Sequence, residues 1–144
     1  MPEDIKAQFR RFVDEVLNAG NYKRIEEFVA PGVTWNGVEI GPEGYRANHM
    51  GIREAIPDFH ITIDRMIAEG DMLAVEMTWS GTHMGRFRGI EATGKHVSYR
   101  AMQFRRNENG KTVEGWGIND NLSLLMQLGA TLDQYEPPTY RASE

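Results

Sequence analysis

The chain has 144 residues, 40% hydrophobic and 26% charged, with a formal net charge of −5 and no cysteine. This is one domain's length, enough to bury roughly two thirds of the unfolded surface and to hold a core with an internal cavity. The lack of cysteine excludes disulfides, thiolate metal sites and cysteine nucleophiles. The negative charge disfavours a broad nucleic-acid surface, and no apolar run reaches the roughly 18 residues of a membrane span.

The polar stretch Met1–Arg11 does not read as a secretory signal. With no disulfides, a reducing, cytoplasmic setting is expected. Ile5, Phe9, Phe12, Val13, Val16 and Leu17 recur at spacings of three and four, one face of a helix over 3–18. Gly20 is its expected stop. Tyr22, Ile25, Phe28 and Val29 mark a shorter helix ended by Pro31-Gly32. Val33–Trp35 then reads as a short strand closed by Asn36-Gly37. Pro42 suits a first helical turn and opens a helix to about Ala55, with Tyr45, His49 and Ile52 on one face.

Alternation then replaces helical spacing. Phe59, Ile61 and Ile63 share one side of a strand, and Leu73, Val75, Met77 and Trp79 one side of the next. Val97–Arg106 and Thr112–Asp120 form a further pair, joined through Asn109-Gly110, a dipeptide that tolerates positive φ. Pairing Arg106 with Lys111 would set Trp116 opposite Ala101, Ile118 opposite Tyr99 and Asp120 opposite Val97. Leu122–Leu128 is a short helix stopped by Gly129. Helices first and hairpin strands after them indicate an α+β fold, one domain over 1–132, with an extended tail over 133–144.

A few ionisable groups fall on the apolar faces. Asp120 shares strand parity with Trp116 and Ile118. Burial there would raise its pKa toward the range useful for a general acid or base; equally, it stands where an aspartate caps the next helix. His83 continues the Leu73–Trp79 face, as a group that polarises a carbonyl or as a hydrogen-bonded loop residue. His49 lies on the inner face of the third helix, in packing or in a site. Trp35, Trp79, Tyr99 and Trp116 are candidates to line a cavity for a flat, hydrophobic or aromatic ligand. Arg86, Arg88, Lys95, Arg100, Arg105 and Arg106 form either a solvated basic face or a lip that attracts an anionic substrate. No two histidines stand at i, i+4, which argues against a metal site.

Several motifs, in order, resemble the SnoaL-like polyketide cyclase family, within the superfamily of nuclear transport factor two and ketosteroid isomerase. They are Gly41-Pro42-Glu43-Gly44-Tyr45, Ile56-Pro57-Asp58-Phe59, Gly81-Thr82-His83-Met84-Gly85, Thr93-Gly94-Lys95, Gly110-Lys111 through Gly115-Trp116, Asp120 and Gln127-Leu128-Gly129. The resemblance implies a cone-shaped, strongly bent antiparallel sheet packed against N-terminal helices and enclosing a cavity. It also implies a homodimer-prone chain and cofactor-free chemistry. In the characterised cyclases an aspartate near the end of the last strand is acid/base for an intramolecular aldol closure, and Asp120 matches that position. Those cyclases also place a histidine and a glutamine on the preceding strand; Gln103 matches the glutamine, while the histidine has no match and Tyr99, Arg100 or Arg105 stand nearby instead. The expected catalytic set is therefore Asp120, His83 and Gln103. The alternatives are a non-catalytic ligand-binding or dimerisation module, or hydrolase or dehydratase chemistry on the same cone.

Overall fold

The computed structural model describes residues 3–138. Helix α1 (Ile5–Arg11) starts at Asp4, whose carboxylate accepts from the Lys6 amide at 3.1 Å, a side-chain N-cap. It widens into a π-helical turn over Phe12–Leu17, and the Asn18 amide reaches back to the Val13 carbonyl. The extra residue per turn keeps Phe12, Val13, Val16 and Leu17 all buried. Tyr22–Glu27 is a 3₁₀ helix.

Strand β1 (Val29–Trp35) runs straight through Pro31-Gly32, so Val29 belongs to a strand rather than to the preceding helix. The proline is tolerated because its neighbourhood is a register irregularity: β1 pairs with the last strand at Val29 and again only from Thr34. Asn36 and Gly37 both take positive φ, 49° and 84°, and turn the chain into β2 (Val38–Glu39). Helix α2 (Gly41–Ala55) has Pro42 in its first turn and buries Tyr45, His49 and Ile52. Strands β3 (His60–Glu69), β4 (Met72–Thr82), β5 (His96–Glu108) and β6 (Lys111–Asn119) follow, then α3 (Asn121–Leu128).

The six strands form one curved sheet in the order β2-β1-β6-β5-β4-β3. All neighbours are antiparallel except β1 and β6, which are parallel. Helices α1 and α2 lie on one face, giving the expected α+β cone. Burial alternates along β4 and β5: Leu73, Val75, Met77 and Trp79, then Val97, Tyr99, Ala101, Gln103 and Arg105, point inward. Arg53 ties the end of α2 to its surroundings. Its guanidinium donates to the carbonyls of Leu17 at 2.8 Å and Phe59 at 3.1 Å and to the Tyr22 hydroxyl at 2.7 Å.

The last hairpin corrects the expected register. Its turn is the two residues Asn109-Gly110, so Glu108 faces Lys111. A bulge then leaves Val113 unpaired, and Arg106 faces Glu114. The resulting offset is odd, and an odd offset exchanges the two faces of a strand. Gly115, Gly117 and Asn119 turn inward, while Trp116 and Ile118 turn outward opposite Phe104 and Met102. Trp35 lies over Gly115 and Gly117, where any Cβ on Gly115 would overlap its indole.

Between β4 and β5 the chain runs without regular structure, held by His83. The His83 amide donates to the Lys95 carbonyl and its own carbonyl accepts from the Gly94 amide, at 2.9 and 2.8 Å. The expected extended tail begins with a 3₁₀ turn, Leu132–Gln134. It then lies against this segment, with the Glu136 amide on the Arg88 carbonyl at 2.9 Å. The tail's last residues, 139–144, lie outside the described residues. Among the described residues no helix is long and apolar enough to cross a membrane.

Candidate active site

Under α2, where it crosses β6, β5 and β4, the interior keeps a hollow of about 30 Å³. Trp35, Trp79 and Ile40 form its apolar walls, and Asn48, His49, Gln103 and Asn119 its polar ones. Each comes from a different constraint. Asn48 and His49 are consecutive on α2. Gln103 is an inward position of β5. Asn119 faces inward because of the Val113 bulge.

His49 is 5% exposed. Its ring stacks on Tyr45 at 5.2 Å and tilts against Trp79 at 6.1 Å. Among the described residues neither ring nitrogen has a hydrogen-bond partner, and neither is sealed from the hollow. Burial, reinforced by the positive charges of Arg105 and Arg53, pushes the imidazole down from 6.5 to about 3. The ring is therefore neutral at pH 7, one nitrogen donating and the other accepting.

Arg105 lies behind the polar wall. It is 1% exposed and, among the described residues, has no carboxylate within salt-bridge distance. Its Nη1 donates to Gln103 Oε1 at 2.9 Å and to the Tyr45 hydroxyl at 3.2 Å, and its Nη2 to Thr112 Oγ1 at 3.2 Å. The rings of Phe9, Phe12, Trp35 and Tyr45 surround it at 4.9–5.8 Å. Trp79 Nε1 is buried with no partner among the described residues, a costly state for an N–H donor.

Of the residues singled out from the sequence, Trp35, His49, Trp79 and Gln103 converge on this hollow. Tyr99 faces Trp79 across the β4–β5 pair at 6.2 Å, and its burial raises the phenol pKa. His83 stands elsewhere: it is buried, and its Nδ1 accepts from the Thr93 amide at 3.3 Å. Its Nδ1 also contacts the Thr93 hydroxyl at 3.0 Å, and its Nε2 is buried with no partner among the described residues. Trp116 is on the outer face of the sheet. Asp120 shares that side, as its parity required, but the side faces solvent. Asp120 is exposed and accepts from the Ser123 amide at 3.0 Å as the cap of α3.

The basic lip is not continuous either. Arg105 is internal, Arg106 pairs with Glu108 and Glu114, and Arg86 pairs with Glu91 and Glu136. Asn48 and Asn119 were not singled out from the sequence, and Arg105 was named only in the basic group and near the expected histidine, not as an internal residue. Arg105 alone carried a usable signal, an arginine in phase with the apolar face of β5. Among the described residues no group of three or more His, Asp or Glu side chains is placed to hold a metal ion.

No curated protein matches the chain. Among solved structures, TsrD from Streptomyces laurentii superposes with a TM-score of 0.82 at 28% identity, over 90% of this chain and 100% of that one. A SnoaL-like polyketide cyclase from Agrobacterium tumefaciens superposes with a TM-score of 0.81 at 23% identity, over 89% of this chain and 100% of that one, a likeness of fold. The sequence profile of SnoaL-like polyketide cyclases matches residues 7–128. The chain belongs to the SnoaL-like polyketide cyclase family.

Proposed function

We propose that this chain is a small-molecule enzyme of the cyclase or isomerase type, moving a proton beside a carbonyl in the hollow beneath α2. The observation that carries this reading is His49: a buried imidazole with no hydrogen-bond partner among the described residues, beside the amides of Asn48, Gln103 and Asn119. His49 takes the proton from a carbon flanked by carbonyl groups. Gln103 hydrogen-bonds the carbonyl oxygen that becomes an enolate. The enolate carbon closes on a second carbonyl of the same molecule, and the new alkoxide recovers the proton from the imidazolium or from water. Atoms and charge balance without an added reagent.

At rest, His49 is a weak base chiefly because it is buried, and the guanidinium charges of Arg105 and Arg53 add to the effect. An enolate forming beside it offsets those charges, so the imidazolium becomes tolerable as the reaction proceeds. A positioned base contributes about 10²–10⁴-fold. Asp120, outside the hollow, enters this reading only as a helix cap.

The hollow holds about two waters at its present volume, so a substrate enters by displacing α2 or the rings of Trp35 and Trp79. Deuterium incorporation at the activated carbon of β-keto esters and aryl 1,3-diketones tests the reading. Wild type and Asp120→Asn should exchange above background and His49→Gln should not. Unchanged exchange in His49→Gln refutes the assignment.

The second reading, a binding or dimerisation module without catalysis, draws on the small hollow and on the outer sheet face. There Phe104 is 58% and Ile118 79% exposed, with Met102 and Trp116 alongside. Phe104 faces Trp116 and Met102 faces Ile118 across the β5–β6 ladder. A contiguous apolar face of this kind marks an interaction surface. We propose a second copy of the chain as its occupant under either reading.

A further inference from the structure

Arg105 constrains the polar wall in a way that His49 does not. A guanidinium carries a fixed positive charge and can only donate hydrogen bonds. Its contact with Gln103 therefore settles which end of that amide is the oxygen: Oε1 points back to Arg105 at 2.9 Å, and the NH₂ group points away. Its contact with Tyr45 occupies the hydroxyl oxygen at 3.2 Å, so the hydroxyl proton is directed elsewhere. Both side chains line the hollow. The Gln103 NH₂ and the Tyr45 hydroxyl proton are thus left free of Arg105 on two residues that line one small space, with a cation behind them.

The charge balance points the same way. Arg105 is buried with no carboxylate partner among the described residues, and aromatic faces surround it. Ring quadrupoles offset part of the cost of burying a charge but leave its field uncancelled. That field reaches His49 as one cause of its lowered pKa. Among the described residues no acidic side chain lines the hollow.

We propose that Tyr45 and Gln103, held as donors by Arg105, form an oxyanion-binding pair, and that the molecule bound under α2 places an anionic or enolisable oxygen between them. This rests on the hollow being the ligand site, and it assigns the substrate class: carboxylate-, phenolate- or enolate-forming compounds. Tyr45 and Gln103 touch the ligand, and Arg105 is a positioning residue acting through both.

The test uses iodide as the anion probe and the indoles of Trp35 and Trp79 as reporters, in a Trp116→Phe background that removes the exposed tryptophan. Iodide, caesium and neutral acrylamide quenching are each normalised to the unfolded chain. Iodide should quench saturably and more strongly than caesium, and acetate, but not acetamide, should relieve it. Tyr45→Phe deletes one hydrogen bond to the anion and should raise the half-saturating iodide concentration about tenfold or more. Arg105→Gln should abolish saturation and Arg105→Lys restore part of it, with circular dichroism reporting folding. If the arginine variants fail to fold, Tyr45→Phe and Gln103→Leu carry the test. If acrylamide enters but iodide quenches no better than caesium, the oxyanion pair is wrong while the site stands. If acrylamide reaches neither indole, the ligand-site reading falls and takes this proposal with it.

Discussion

Replacing His49 with glutamine should remove a specific slope from the pH dependence of stability. The imidazole is pushed from 6.5 to about 3, chiefly by burial. In the unfolded chain it titrates at its ordinary value. As pH falls below that value the unfolded state binds a proton that the folded state refuses, so stability is lost as pH falls. Between about pH 7 and pH 5 the difference amounts to roughly 2 kcal/mol. The lowered carboxylates, Glu15, Glu26, Glu27, Asp58 and Asp133, start from 4.5 or 3.8 and lose their contributions at lower pH. Urea denaturation of wild type and His49→Gln at several pH values isolates the slope. Wild type should lose about 2 kcal/mol more than the variant across this window. Parallel curves would show that His49 is not held neutral by an enclosed, positively biased site.

Further consequences attach to particular residues. Asp120→Ala removes the cap of α3 and should cost about 1 kcal/mol, measured by thermal denaturation, with proton exchange retained. A loss of exchange without a loss of stability would return the acid/base role to Asp120. Gly115→Ala drives a Cβ into the Trp35 indole and should cost about 1–3 kcal/mol by overpacking. Trp35 quenching by acrylamide should rise as the ring is displaced. Phe104→Glu places a charge in the centre of the outer apolar face; light scattering should show wild type as a dimer and the variant as a monomer, and a monomeric wild type would refute the proposed pairing.

Much of this arrangement was legible before coordinates. The inner faces of α2 and β4 followed from spacing because one face of each is buried and the other wet, which leaves a clear period in the sequence. That reasoning placed His49 and Trp79 on inward faces, whereas Gln103 was singled out through the family resemblance. It failed at β6, where two residues decided the outcome. The two-residue turn moved the register by two and kept the strand's faces, and the unpaired Val113 then exchanged them; neither has a signature beyond Asn109-Gly110. The tryptophan and isoleucine beside Asp120 were read as a sign of burial, yet they belong to an exposed apolar sheet face. Glycines at 115 and 117, which look like weak strand residues, are the inward positions because Trp35 occupies the space above them. Arg105 was grouped with its charged neighbours as a solvated face or a substrate-attracting lip, and its full burial was not foreseen because arginine is rarely buried without a partner.

A crystal structure with a bound flat 1,3-dicarbonyl compound would examine the main claim most directly. The dicarbonyl should lie beneath α2, with one oxygen within hydrogen-bond distance of Gln103 Nε2 and its activated carbon facing His49. Binding on the outer face of β5 and β6, or beside Asp120 with Trp35 and Trp79 unmoved, would contradict it.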